Sequence, residues 1–394
     1  MNPTLFDSDR MVLREAIDIT AASLRTYAER YRHWCIAFSG GKDSSAVVTL
    51  VADLIERDVI PAPASLTVLY ADTRLELPPL QLSAMAILEE LRQRDIETRV
   101  VLPALDDRFF VYMLGRGVPP PNNKTLRWCT SQIKIEPMHA ALRGLRDRVG
   151  EKLLMLTGVR LGESAARDQR IITSCSRDNA ECGQGWLQIH TPEAVADTLA
   201  PILHWRVCHV WAWLTTHAPN AGFPTTQIAA AYGGDEHEEI NARTGCMGCP
   251  LASKDTALDA LVKQSDWAWL APLKRLRPLY DELRFNRSNR LRKAGIERLK
   301  DGSIASNPQR LGPLTMEARR RGLAEVLAIQ KECNLGRWPG VDLLNAEEHA
   351  RILELIEANT WPQKWTGDEP TGDELIDKYF SDGTVQPLLT LESL

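Results

Sequence analysis

The sequence predicts an α/β fold: a parallel, twisted sheet with helices on both faces, followed by a mainly helical C-terminal region. Three observations predict it. Short apolar runs recur at 34–38, 66–71, 97–102 and 153–157, lengths that suit strands buried on both faces. Helix-compatible stretches at 45–57, 79–94 and 135–148 separate them, the alternation expected of right-handed βαβ units. The first run ends in a tight glycine turn, Ser39-Gly40-Gly41-Lys42-Asp43-Ser44, that leads directly into a helix.

That turn is an anion cradle. Unpaired N–H groups and the positive end of the helix macrodipole point into it. Gly40 and Gly41 let the main chain approach phosphate oxygens closely. Lys42 adds a mobile point charge, Ser39 and Ser44 offer hydroxyls, and Asp43 can cap the helix or help hold Mg²⁺. The Walker spacing G-x-x-x-x-G-K-[ST] is absent. In a parallel sheet, ligands gather at the carboxyl ends of the strands. The second run there gives Tyr70-Ala71-Asp72-Thr73 and the fourth gives Gly158-Val159-Arg160, so Asp72, Thr73, Gly158 and Arg160 join the loop as candidates for one cleft. Residues 199–214 read as a short docking segment and a helix, and from about Pro219 the chain is mainly helical, interrupted at Gly233-Gly234, Gly312-Pro313 and Trp338-Pro339-Gly340. A nucleotide-binding domain over 1–218 and a helical region over 219–394 are expected.

The chain has 394 residues, 44% of them hydrophobic, enough for two domains or one with an extension. A net charge of −5 is not that of a general polyanion binder, but the charge is uneven. Residues 274–300 balance at +7 and residues 341–394 at −9, an asymmetry that suits a nucleic-acid surface or, equally, a solvated helical face. Trp267 and Trp269 lie near the basic segment as candidate stacking groups. The first residues lack a signal-peptide pattern and no run approaches the ~18 apolar residues of a membrane span, so a cytoplasmic location without membrane contact is expected. In that compartment eight cysteines are read for metal or redox chemistry rather than for disulfides.

The loop Ser39–Ser44 closely resembles the signature of the PP-loop ATP pyrophosphatases, of the adenine nucleotide alpha hydrolase-like fold. Three further segments resemble the adenylyl-sulfate and phosphoadenylyl-sulfate reductase branch: Arg127-Trp128-Cys129 with Lys134 and Pro137, Gly158-Val159-Arg160 with Glu163-Ser164 and Arg167, and the proline- and tryptophan-containing segment 201–214. The resemblance covers about residues 30–255. It implies ATP bound at Ser39, Gly40, Gly41, Lys42, Asp43 and Ser44 with Mg²⁺, and catalytic roles for Lys42, Asp43, Arg160 and Arg167. Guanidinium forks suit phosphate or sulfate oxygens.

Cys246-Met247-Gly248-Cys249 is a CxxC, suited to a metal centre or a redox dithiol. The resemblance places Cys129 with this pair in a 4Fe-4S cluster. Cys182 is the favoured fourth ligand and Cys175 the second candidate, with a Cys₄ zinc site as the alternative. Cys35 and Cys208 are expected in the core. Reductases of the branch use a cysteine in a C-terminal tail, and no cysteine follows Cys333 in this sequence. The combination, with Lys254-Asp255 after the CxxC, is similar to the ATP pyrophosphatase subunits of DNA phosphorothioation systems of the DndC and SspD type. That resemblance implies adenylation of a DNA backbone phosphate for sulfur insertion, with a cysteine desulfurase and other phosphorothioation subunits as partners. A sulfonucleotide reductase, or a non-enzymatic DNA- or partner-binding module, are the alternatives.

Overall fold

A computed structural model describes residues 11–122, 126–162, 169, 180–182, 186–188, 194–232, 246–252, 254–337 and 340–388. The chain divides into two compact units. The first comprises residues 1–72, 76–102 and 135–244, and the second residues 73–75, 103–134 and 245–394.

In the first unit the chain runs through α1 (Leu13–Ala28), β1 (His33–Phe38), α2 (Lys42–Glu56), β2 (Ser65–Ala71), α3 (Pro78–Gln93), β3 (Glu97–Val101), α4 (Glu136–Val149) and β4 (Leu153–Leu156). It continues with β5 (Ala180–Cys182), β6 (Trp186–Gln188), β7 (Ala196–Ala200) and α5 (Val207–Ala212), and α5 passes into a wider turn over Trp213–His217. The seven strands form one sheet in the order β3-β2-β1-β4-β7-β6-β5. The first five are parallel, and β6 and β5 add an antiparallel edge. The α/β class and the parallel sheet expected from the sequence are therefore present.

Strand β1 is central because its residues can be buried on both sides. Trp34 pairs with Leu66 on one neighbour and with Leu154 on the other. On one face Leu142 and Leu145 of α4 close over Cys35, Leu69 and Leu153. Helix α2 is almost wholly buried, and Trp213 donates its indole N–H to Thr49 at 2.9 Å, fixing the segment after α5 to it. The order turns outward from β1 through β2 to β3, then resumes with β4 on the other side of β1. The carboxyl ends of β1 and β4 thus flank the crevice where ligands bind in such sheets.

Strand β7 was not evident in the sequence, since Ala-Asp-Thr-Leu-Ala carries a charge in a buried position. The structure satisfies that charge: Asp197 accepts from the Tyr31 hydroxyl at 2.7 Å and pairs with Lys152 at 2.7 Å. The docking segment of residues 201–206 is anchored by α1, where Trp205 donates to Thr20 Oγ1 at 3.0 Å and Thr20 donates to the Pro201 carbonyl at 3.1 Å.

The second unit contains α6 (Leu276–Phe285), β8 (Arg290–Arg292), β9 (Leu311–Leu314), α7 (Met316–Cys333) and α8 (Ala346–Glu357), with a short π-helical turn at Val111–Gly115. Helices predominate, and β8 and β9 add a small antiparallel pair. Side chains cap two of the helices: Thr315 accepts from Ala318 N–H and Asn345 from Glu348 N–H. Arg319 is fully buried and spends its guanidinium on three carbonyls, those of Leu114, Gly115 and Thr360. No helix among the described residues is long and apolar enough to cross a membrane.

Candidate active site

Helix α2 begins at Lys42, three residues before the sequence pattern places it, because Gly41 serves as its N-cap with extended backbone and no side-chain cap. Lys42, Asp43 and Ser44 therefore occupy the first helical turn, where free N–H groups lie. Gly40 has φ +74°, which a residue with a Cβ adopts only with strain, and a Cβ there would meet Ala84 at 3.2 Å. The turn is braced internally. Ser39 N–H donates to the Ser44 hydroxyl at 3.2 Å, the two hydroxyls lie 3.0 Å apart, and Ser44 reaches the Gly41 carbonyl at 3.0 Å.

Three charged residues meet beside it. Lys42 Nζ lies 3.0 Å from Asp43 Oδ2, and Arg160 Nε lies 2.5 Å from Asp43 Oδ1. Arg160 comes from the loop after β4, is 4% exposed, and also donates to the Trp205 carbonyl at 3.3 Å. Gly158 explains how that loop comes so close. A Cβ there would stand 2.7 Å from Ser44 N and 2.8 Å from the Asp43 carbonyl carbon, so only glycine lets the end of β4 lie against the start of α2. The arrangement gives two cations around one carboxylate at the N-terminus of a buried helix, suited to an anionic ligand.

Of the predicted residues, Ser39, Gly40, Gly41, Lys42, Asp43, Ser44, Gly158 and Arg160 are brought together. Asp72 directly follows β2 in the same unit, is buried, and donates its backbone N–H to the Val101 carbonyl. Thr73 belongs to the second unit. Arg167 lies outside the described residues. Asp43, expected to cap the helix or help hold Mg²⁺, has Oδ2 beside Lys42 and Oδ1 beside Arg160. Among the described residues no group of three or more His, Cys, Asp or Glu is placed to hold a metal ion.

Sequence reasoning missed Tyr232, at the end of a 3₁₀ helix over Thr226–Tyr232. Its hydroxyl accepts from Lys42 N–H at 3.2 Å and its ring lies 5.1 Å from Lys42 Nζ. Nothing local in the sequence ties it to a loop 190 positions earlier.

The second unit holds Cys129, Cys246 and Cys249. Cys129 follows Trp128, which stacks on Phe109 at 5.3 Å. Burial, and next the neighbouring Cys249, push the Cys129 thiol up. Gly248 of the CxxC has φ +60°, and a Cβ there would meet Leu276 at 2.7 Å, so this turn too requires glycine. As they stand, these three thiols do not form a metal-holding group. Cys182 falls in β5 of the first unit, and its side chain and all of Cys175 lie outside the described residues. Burial pushes Cys35 up to about 12 and Cys333 up to about 11, which keeps both protonated. Cys208 was expected in the core but is exposed, because α5 turns His209 and Val210 inward instead.

Internal partners take up much of the basic segment. Arg290 is 6% exposed and donates to the carbonyls of Gly312, Arg284 and Leu311. Arg275 pairs with Glu325 and Glu332, and Lys274 with Asp259. Arg287 and Arg292 donate to the Gly372 and Glu374 carbonyls, and Lys293 faces Glu369 at 3.6 Å. Trp267 and Trp269 stack on each other at 6.3 Å, and Arg337 lies over Trp269.

Residues 33–220 match the model of the phosphoadenosine phosphosulfate reductase domain. Two uncharacterized proteins of Methanocaldococcus jannaschii are similar, one 26% identical over 216 residues and the other 23% identical over 231. These alignments cover 55% and 57% of this chain but only 41% and 38% of the relatives' own length. Among solved structures, phosphoadenylyl-sulfate reductase of Candida auris in complex with phosphate aligns over 54% of this chain and 89% of its own, at 12% identity and a TM-score of 0.33. The U34-tRNA thiolase NcsA of Methanococcus maripaludis, with its 4Fe-4S cluster, aligns over 69% of this chain and 79% of its own, at 14% identity and a TM-score of 0.33. Residues 33–220, which hold the parallel sheet and its glycine loop, are thus the part of the chain that is similar to the phosphoadenosine phosphosulfate reductase domain.

Proposed function

We propose that this chain is a PP-loop ATP pyrophosphatase that adenylates an acceptor phosphate for sulfur insertion, the acceptor being the DNA backbone. The observation that carries the reading is the junction of Lys42, Asp43 and Arg160 at the N-terminus of α2. In this reading ATP lays its phosphates over Ser39–Ser44. An acceptor phosphate oxygen attacks the α-phosphorus, the bond to the bridging oxygen breaks, and pyrophosphate leaves. Lys42 and the first-turn amides stabilise the charge that develops on it. Mg²⁺, arriving with the nucleotide, would add further neutralisation. Arg160 positions Asp43 and, when the anion arrives, can share its fork between carboxylate and phosphate. A hydrosulfide-equivalent sulfur nucleophile then forms the P–S bond as the P–O bond to AMP breaks.

Reduction of a sulfonucleotide requires an activated thiolate, and burial pushes the Cys35 and Cys333 thiols the other way. The motif resemblance would make Cys129, Cys246 and Cys249 thiolate ligands of a 4Fe-4S cluster, a reading that the motif and not the present placement of the three thiols supports, and no step above runs through it. Iron and acid-labile sulfide content after anaerobic purification, compared with Cys249→Ser, tests that assignment. DNA is kept as the acceptor on the strength of the motif resemblance, since much of the basic segment is paired internally.

The test of the function is pyrophosphate release from ATP with DNA and a cysteine desulfurase present. Release that is lost in Lys42→Ala supports the reading. Sulfite release from phosphoadenylyl sulfate in its place would overturn it.

A further inference from the structure

Tyr232 holds a position that the loop motif does not describe. Its hydroxyl oxygen accepts from Lys42 N–H at 3.2 Å, and it stands 3.5 Å from the place a Cβ on Gly41 would take. Its ring lies 5.1 Å from Lys42 Nζ. Trp211 packs edge-on against that ring at 5.2 Å, and the residue is 3% exposed. Lys42 N–H belongs to the first turn of α2, whose amides have no partner within the helix and are the donors an anion takes at such an end.

We propose that Tyr232 is a positioning residue of the loop: its phenolic oxygen holds the Lys42 amide in the direction an anion requires, and a phosphate oxygen takes that amide over on binding. The inference rests on the ATP reading and adds to it a residue outside the motif. A neutral phenol oxygen is a weaker acceptor than a charged phosphate oxygen, so the exchange runs toward the ligand. The aromatic face meanwhile keeps the Lys42 ammonium beside the loop through a cation–π contact. The phenol therefore shapes the site at some expense of affinity, because one hydrogen bond is given up for each one gained.

Tyr232→Phe separates the two parts, keeping the ring and its packing on Trp211 while removing the oxygen. ATP and pyrophosphate are each expected to bind this variant about 5-fold more tightly than wild type, the worth of one neutral hydrogen bond. Without ligand it is expected to melt below wild type, and saturating ATP is expected to raise its melting temperature by more than it raises that of wild type. Tyr232→Leu, which also loses the aromatic face, is expected to bind both anions more weakly than Tyr232→Phe. Equal or weaker binding by Tyr232→Phe, in a wild type that binds ATP, overturns the exchange and leaves the ATP reading standing. A wild type that binds neither ATP nor pyrophosphate overturns both.

Discussion

Replacing Gly158 by alanine tests whether the end of β4 and the start of α2 form one rigid cradle. The added methyl carbon would stand 2.7 Å from Ser44 N, 2.8 Å from the Asp43 carbonyl carbon and 3.0 Å from its oxygen. All three are main-chain atoms, so no side chain can swing away. Reaching ordinary contact requires a separation of about 0.7 Å, which must come from the loop after β4 or from the first turn of α2. Overpacking of this kind costs about 2 kcal/mol, equivalent to a fall of about 6 °C in melting temperature for a unit of this size. The same displacement spoils at least one charge-assisted hydrogen bond to bound phosphate, so ATP is expected to bind at least about 10-fold more weakly. Thermal unfolding and isothermal titration with ATP measure the two effects. Gly150→Ala is the control: Gly150 has φ +74° at the end of α4 with no atom near a Cβ, so it should lose about 1 kcal/mol of stability and no ATP affinity. A Gly158→Ala protein that melts and binds like wild type would refute the close-approach argument.

Other outcomes are equally specific. Arg160→Lys should not restore what Arg160→Ala loses in ATP binding, because one ammonium cannot serve both Asp43 and the Trp205 carbonyl as the guanidinium does, and equal binding by the lysine variant would count against that role. Arg319→Met should destabilise the protein by about 3 to 5 kcal/mol in urea unfolding, since three carbonyls lose their donor; a change below ~1 kcal/mol would show that water replaces it. The Arg148 hydrogen bonds hold Glu97 down at about 2, so its stabilising contribution is complete above about 4.5 and is lost as pH falls toward 2. Arg148→Ala should therefore flatten the stability–pH curve in that window. Among the cysteines with described side chains, iodoacetamide should label the exposed Cys208 in the native protein and reach Cys35 and Cys333 only after unfolding, which peptide mass mapping would check.

The sheet was legible because β1 and β2 are apolar runs of strand length, and because a parallel sheet buries both faces of its strands. Strand β7 was hidden by Asp197, whose burial is permitted by Tyr31 and Lys152, partners that lie far from it in sequence. The loop was legible because its function needs glycine, lysine and hydroxyl residues in unbroken succession. The pairing of Asp43 with Arg160 and the Tyr232 hydrogen bond were not, since they arise from chain crossings 117 and 190 positions long. The basic segment was legible as charge but not as surface. A run of arginines has the same composition whether its guanidinium groups face water or, like Arg290, tie down main-chain carbonyls.

Those arginines also bear on where this protein should respond to salt. Residues 274–300 and the acidic stretch near the C-terminus carry nearly cancelling charges, and the Arg287, Arg292 and Lys293 contacts bring the two together. The tail acts as a built-in counterion. Where the two meet, part of the basic charge is answered within the chain, which weakens the attraction that segment offers a polyanion. Raising ionic strength should weaken the Lys293–Glu369 pair and leave the Arg287 and Arg292 hydrogen bonds to main-chain carbonyls largely in place.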